Sequence, residues 1–144
     1  MPAVGPLPPK LRHILETCLY VDDMERACHF YERVGGTPPQ FSGERISGFR
    51  FGATMLLLFR RGATRSPIET PDGIIPPHDG SGPQHFAFSI APEDMEAWRA
   101  HLAALGIPVE STVRWPADNA SSLYFRDPDG HLVELATAGL WGIT

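Results

Sequence analysis

The tripeptide Asp23-Met24-Glu25 recurs as Asp94-Met95-Glu96, and Gly35 recurs as Gly106 at the same offset (94 − 23 = 71; 106 − 35 = 71). Each copy follows a short strand-like run and opens an amphipathic stretch that closes on glycine. A unit repeated about half a chain length apart predicts two copies of one supersecondary module, neither able to bury its inner face alone. Two such half-shells share a cleft, and a site in that cleft takes residues from both.

The 144 residues suffice for one domain with a real core and fall short of two independent ones. A net charge of −5 argues against non-specific nucleic-acid binding, which neutralises phosphates with Lys and Arg. No apolar run approaches membrane-spanning length. Cys18 and Cys28 cannot make a disulfide framework, and the proline-rich stretch Met1–Pro9 carries no signal pattern. The expectation is a cytoplasmic protein with free thiols, and with neither nucleic acid nor membrane as a partner.

Patterning divides the chain into a flexible Pro-rich arm at 1–10, one domain over 11–138 and a tail at 139–144. Modules at about 11–60 and 84–138 are joined by a linker over 61–83, rich in Pro, Gly, Asp and Thr and a candidate lid. Ile14–Val21 alternates as a strand. Asp22 and Glu25 look like a capping box for a helix whose stripe is Met24, Ala27, Tyr31 and Val34, stopped at Gly35-Gly36. Phe49–Phe51 and Met55–Phe59 predict a hairpin around Gly52-Ala53.

In the second copy His85–Ile90 is a strand, and Met95, Trp98, Leu102 and Leu105 form the buried stripe of a helix. Val109–Val113, Ser122–Arg126 and Leu132–Thr137 follow as strands, the last two joined by a tight turn at Asp127-Pro128-Asp129-Gly130. Each half therefore reads β, α, then about three antiparallel strands. This is an α+β fold of two tandem βαβββ modules, in which each helix covers one sheet face and the other face lines a cavity.

Strand parity sorts the candidates for chemistry. Phe86, Phe88 and Ile90 belong beneath the helix, which leaves His85, Ala87 and Ser89 on the open face; Glu16 and Cys18 take the comparable face of the first copy. In the last strand Glu134 shares a face with Leu132 and Ala136. A carboxylate in so apolar a strand needs a partner, and a metal ion is one. Cys18, Trp115, Tyr124 and Leu57 are candidate ligand contacts, Leu57 within the wholly apolar run Met55–Phe59. Blander roles stand beside these: a small buried thiol for Cys18, packing for the aromatics, and surface positions for Arg50 and Arg114. His29, His78, His101 and His131 fall on polar helical or loop positions and are expected to be solvated. Asp127, Asp129 and Gly130 need no role beyond turn formation.

The run LETCLYVDDMERACHFYERVG ending at Gly35, GPQHFAFSI around His85, and SLYFRDPDGHLVELAT ending at Thr137 together resemble the glyoxalase/bleomycin-resistance/extradiol-dioxygenase superfamily, also called vicinal oxygen chelate. The resemblance covers roughly Leu11–Ala138. It implies a divalent metal held at the cleft by residues of both modules. The family's second-module histidine falls on His85, and its last-strand glutamate on Glu134. Its first ligand, usually histidine, lies seven residues before the aspartate that opens the first helix, which is Glu16 here (23 − 16 = 7). Four-ligand members such as glyoxalase I carry a further carboxylate or amide where this chain has Met55–Phe59.

The resemblance thus implies a three-ligand set of Glu16, His85 and Glu134, with Glu16 and Glu134 as the catalytic carboxylates. One imidazole and two carboxylates favour Mn²⁺, Fe²⁺, Ni²⁺ or Mg²⁺ over a structural zinc site. The expected activity is of lyase, isomerase or dioxygenase type on a small oxygenated molecule chelated at the metal. Thiol transferases to fosfomycin share the chain length and the His and Glu positions but keep histidine where Glu16 stands. Small antibiotic-binding members use the same cleft with no metal, and that alternative stays open. Many members dimerise and complete or cover their clefts with partner elements, so a homodimer is expected, with Leu140, Trp141 and Ile143 of the tail as a candidate contact.

Overall fold

The computed structural model describes residues 5–144. The first part of the N-terminal arm, residues 1–4, lies outside them. The elements run β1 (Glu16–Val21), α1 (Met24–Gly35), β2 (Ile46–Phe51), β3 (Thr54–Arg60), β4 (Ile68–Thr70), β5 (Gly73–Ile75), β6 (His85–Ile90), α2 (Met95–Ala104), β7 (Ser111–Trp115), β8 (Ala120–Arg126) and β9 (Leu132–Thr137). The strands form two main sheets, β1-β3-β2 and β6-β9-β8-β7, in each of which the first strand pairs parallel with the last.

The second module has the expected three antiparallel strands after its helix. In the first module, the strand that would precede β2 is reduced to one bridge between Phe41 and Gly48. Phe41 folds its ring over Gly48, where any Cβ would stand 2.5 Å from it. A glycine and an aromatic share the space of a strand.

Caps explain why the helices begin and end where they do. Asp23, rather than Asp22, caps α1, its carboxylate accepting from the Arg26 N–H at 3.0 Å. Asp22 instead pairs with Arg61 at 2.8 Å. The repeated Asp94 makes no side-chain cap, because a 3₁₀ turn at Pro92–Asp94 already leads into α2. The repeated glycines also diverge. Gly35 ends α1 where a Cβ would meet the Phe51 ring at 2.5 Å, and Gly36 takes the left-handed cap; Gly106 takes the left-handed position itself, at φ 73°.

The helix-side faces of both sheets share one core. Leu19, Val21 and Leu58 from the first sheet meet Leu123, Phe125, Val133 and Leu135 from the second, with Ala27, Tyr31 and Val34 of α1 and Leu102 of α2 between them. The α1 stripe is the expected one. In α2 only Leu102 is fully buried, and Met95, Trp98 and Leu105 pack at its margin.

Three histidines expected in solvent are structural. His131 is fully buried: its Nδ1 accepts from the Gln84 N–H at 2.8 Å and its Nε2–H donates to the Tyr20 carbonyl at 2.7 Å. His101 donates from Nε2 to the last carbonyls of α1, Arg33 and Val34, both at 3.1 Å. His78 hydrogen-bonds the Tyr20 hydroxyl at 2.6 Å and sits edge-on to Phe59. The stretch over 61–83 is thereby tied to the open face of the first module, and it contains the β4–β5 hairpin.

The turn between β8 and β9 clasps the modules. Asp127 accepts the Tyr31 hydroxyl of α1 at 2.7 Å and the Asp129 and His131 N–H groups, while Asp129 accepts the Asp22 N–H at 2.9 Å. Burial raises the Asp127 carboxyl above its ordinary value, with the Tyr31 hydroxyl and the His131 backbone N–H pulling the other way.

Two outcomes follow from this clasp. His131→Ala strands a buried N–H and a buried carbonyl and is expected to cost about 2–4 kcal/mol in urea denaturation. The fold favours the acid form of Asp127, a contribution that is whole below about pH 4 and lost as pH rises through the raised folded value. Asp127→Asn keeps the two backbone bonds and can offer an amide N–H to the Tyr31 oxygen. Its stability relative to the parent chain is expected to improve from pH 4 to pH 7, and a pH-independent difference would contradict the desolvated carboxylate.

Candidate functional site

Parity and register set one face of the second sheet. His85 pairs with Leu132, Ala87 with Glu134, and Glu134 with Tyr124, while Ser122 pairs with Val113 and Ala136. Directly paired residues point to the same side, so His85, Glu134, Tyr124 and Ser122 look outward, away from the helix. Trp115, two residues beyond Val113, joins them.

The side chains are ordered as a relay of hydrogen bonds. The Trp115 indole N–H donates to Ser122 Oγ at 2.9 Å, and the Ser122 hydroxyl donates to Glu134 Oε2 at 2.5 Å. The other carboxylate oxygen, Oε1, stands 3.2 Å from His85 Nε2. His85 Nδ1 lies 2.9 Å from the Leu132 carbonyl, a pure acceptor, so Nδ1 carries a proton. Nε2 then faces the carboxylate either with a second proton or with a lone pair and a cation between. Glu134 is 6% exposed, and the pair opens into a cavity of about 450 Å³. A histidine fixed through Nδ1–H on a carbonyl and a carboxylate fixed by an outer hydroxyl form the usual outer frame of metal ligands.

Tyr124 places its ring 6.3 Å from the His85 ring. Burial, and then the Glu134 carboxylate, push its hydroxyl above the ordinary tyrosine value, so it stays a donor at neutral pH. The cavity is completed by Ala87, Phe88, Ser89, Ala136 to Ala138, and the tail residues Leu140, Trp141 and Ile143.

Of the candidate residues, the structure brings together His85, Glu134, Trp115 and Tyr124. It does not bring Glu16, Cys18 or Leu57 to them. These three lie on the open face of the first sheet, where Glu16 pairs with Met55 and Cys18 with Leu57. Among the described residues no group of three His, Cys, Asp or Glu side chains is placed to hold a metal. Cys18 is exposed, and desolvation with the nearby Glu16 raises its thiol, which disfavours the thiolate. Residues 61–83 contribute nothing to the cavity lining.

Ser122 and the tail were missed as parts of the site. Ser122 could have been read from the pair Ser121-Ser122 inside an otherwise apolar strand: the register puts Ser122 on the Glu134 face. The tail carried no periodic signal. A larger cavity of about 580 Å³ lies between the modules, lined by Thr17, Phe51, Met55, Phe86, Phe88 and Trp98 among others. No ionisable side chain lines it, so it offers no acid–base chemistry.

The model of one protein family, the Glyoxalase/Bleomycin resistance protein/Dioxygenase superfamily, matches residues 10–135. The chain belongs to that superfamily. It is 31% identical over 122 residues to a metallothiol transferase FosB of Shouchella clausii, covering 83% of this chain and 76% of that protein. It is 31% identical over 133 residues to a glyoxalase domain-containing protein, RDO1, of Mycosarcoma maydis, covering 88% and 67% respectively. The crystal structure of a lactoylglutathione lyase from Agrobacterium tumefaciens superposes with a TM-score of 0.82 at 36% identity, covering 95% of this chain and all of that one. No helix among the described residues is long and apolar enough to cross a membrane.

The hydrogen-bond frame makes a direct prediction. Ser122→Ala leaves Glu134 Oε2 and the Trp115 N–H without their partner and is expected to cost about 1–3 kcal/mol in urea denaturation. Cys18→Ser, at an exposed position outside this relay, is expected to change stability by less than about 0.5 kcal/mol.

Proposed function

We propose that this chain is a divalent-metal-dependent enzyme, of lyase, isomerase or transferase type, acting on a small molecule that presents adjacent oxygens to His85 and Glu134. The single observation that carries the reading is the His85–Glu134 pair itself. With Nδ1–H committed to the Leu132 carbonyl, Nε2 and Glu134 Oε1 converge at 3.2 Å on one point at the cavity wall. Two electron-rich atoms held that close favour a cation between them.

His85 Nε2 and Glu134 Oε1 would hold the ion, and one imidazole with carboxylates suits Mn²⁺, Fe²⁺, Ni²⁺ or Mg²⁺. When bound, the metal supplies Lewis acidity to a substrate oxygen. The chain's own groups do the rest. Trp115 and Ser122 fix the carboxylate, the Tyr124 hydroxyl donates to a substrate oxygen, and Glu134 and Glu16 are the candidate proton acceptors.

Glu16 reaches this site from a second copy in our reading, which makes the working unit a homodimer. Leu7, Leu11, Ile14 and Leu15, on the approach to Glu16, are all exposed, an apolar run that a second copy would cover. Complementation tests the arrangement. Glu16→Ala and Glu134→Ala chains, each expected to lose at least about 100-fold in activity, should regain activity when unfolded together and refolded, since a hybrid dimer holds one intact site. Absence of any recovery would confine the site to one chain.

A second reading is favoured by the same 3.2 Å contact: a doubly protonated His85 would satisfy Glu134 by itself, giving a metal-free binding protein. Elemental analysis of the purified chain and of Glu134→Gln separates the two. Stoichiometric metal in the parent chain alone, with a metal-dependent rise in melting temperature, is expected; its absence from both would leave the binding protein. The two free thiols support a cytoplasmic setting.

A further inference from the structure

We propose that His131 is a positioning residue for His85: acting with Gln84 and the Tyr20 backbone, it fixes the direction of the His85 ring from the seam between the modules. The proposal rests on the reading of His85 as a metal ligand only for what the fixed ring is used for. His85 is poorly placed to hold a direction by itself. It is the first residue of β6, which stands at the edge of its sheet, and its side chain is 49% exposed. Strand ends fray, and an edge strand is held from one side. The anchor of the ring shares the weakness, because Leu132, whose carbonyl takes the Nδ1 proton, is the first residue of β9. β6 and β9 run parallel, so the two ends lie together, each after an irregular stretch. A shift of either end moves Nε2 against Glu134 Oε1, a contact of 3.2 Å.

His131 ties down both ends. Its Nδ1 accepts the Gln84 N–H at 2.8 Å, one residue before His85. It also directly precedes Leu132, whose N–H donates to the Gln84 carbonyl at 2.8 Å. The turn holds its backbone, since Asp127 Oδ1 accepts the His131 N–H and the Asp127 N–H donates to the His131 carbonyl. The remaining group, Nε2–H, crosses to the Tyr20 carbonyl of β1 at 2.7 Å, while the Tyr20 N–H donates to Gln84 Oε1 at 3.3 Å. Both backbone groups and both ring nitrogens of His131 thus have partners, as a fully buried imidazole requires.

β1 and β6 are both edge strands, and here one ring and one carboxamide stand where a backbone ladder could have joined them. Cohesion of the modules has other sources, namely the shared core and the Tyr31–Asp127 and Asp22–Asp129 bonds. What the imidazole adds lies at the base of His85. It keeps Gln84 and Leu132 in one register, and that register brings the Leu132 carbonyl to His85 Nδ1 at 2.9 Å. Partners of this kind set the tautomer and direction of a ligating histidine. A site tolerates an error of only about 0.5 Å in such a group, less than a frayed strand end would allow.

The readouts are solvent exchange of the His85 Nδ1 proton, followed by nitrogen-15 NMR on the metal-free full-length chain, and Mn²⁺ affinity by calorimetry. His131→Ala is expected to speed that exchange by about 10-fold and to raise the Mn²⁺ Kd by about 10-fold. Gln84→Ala removes only the bond to the Tyr20 N–H and should move both readouts the same way by about 3-fold. Gln84→Glu keeps that acceptor and is expected to restore the protection of the Nδ1 proton. Val34→Ala opens a core cavity in α1 away from the seam and controls for lost stability, with both readouts expected at the parent value. Parent-like exchange in Gln84→Ala and in folded His131→Ala overturns the proposal, as does an unprotected Nδ1 proton in the parent chain. An equal effect of Val34→Ala also overturns it, by reducing His131 to a stabilising role. Should His131→Ala fail to fold, the two Gln84 variants decide alone. If no chain binds Mn²⁺ while the exchange differences persist, the metal reading fails and the positioning of His85 stands.

Discussion

The arrangement of the two modules turns on one buried imidazole. His131 accepts from the Gln84 N–H and donates to the Tyr20 carbonyl, and only a neutral ring protonated at Nε2 satisfies both. Tyr20 lies in β1 of the first module, and Gln84 immediately precedes the strand that carries His85. One ring therefore sets the start of β6 against the end of β1. The surrounding bonds have the same effect: Gln84 Oε1 accepts the Tyr20 N–H, and Asp127 and Asp129 tie the turn bearing His131 to Tyr31 and Asp22. Loss of these contacts would cost more than stability, because the position of His85 relative to Glu134 depends on the start of β6.

The site spends its polar groups on order. Glu134 sits among Val133, Leu135 and Ala136, where an unpaired carboxylate would be expensive. Ser122 satisfies one oxygen, Trp115 orients Ser122, and His85 stands at the second oxygen. The Trp115 N–H, the Ser122 hydroxyl and Glu134 Oε2 each have one role because the neighbour consumes the alternative, and only the His85 Nε2–Glu134 Oε1 contact is left open. A carboxylate held this way keeps its direction before any ligand arrives, and that is what preorganised electrostatics requires.

Parity made half of the site legible in the sequence. The alternation of His85–Ile90 put His85 on an open face with Ala87 and Ser89, that of Leu132–Thr137 put Glu134 with Leu132 and Ala136, and the register joins those two groups on one face. The α1 stripe and the Gly52-Ala53 hairpin were equally readable, since apolar period and turn chemistry are local. The repeat itself was a poorer guide to detail. Asp23 caps a helix while Asp94 does not, and the matching glycines relieve different constraints, because the 3₁₀ turn at Pro92 shifts the second helix start. The histidines misread as solvated failed for a common reason: a polar residue in a loop looks solvent-bound until the partner sheet is known. His131 is buried by a strand more than a hundred residues away in sequence, and no local pattern announces that.

The placement of Glu16 follows from the same distinction between local and long-range information. Counting back from the helix cap fixes its strand and its face, and both are as counted: it opens β1 on the side away from the helix core. What counting cannot supply is which second-module face Glu16 meets. In this chain the cavity at His85 and Glu134 is walled on one side by its own tail instead, by Leu140, Trp141 and Ile143. On the proposed reading a third carboxylate comes from a second copy, and it would approach past an apolar wall whose lining includes no lysine or arginine. Such an approach desolvates Glu16 as it arrives, and without a counter-charge that cost would exclude it. A cation held at His85 Nε2 and Glu134 Oε1 supplies that counter-charge, so assembly of two copies and metal binding would each strengthen the other.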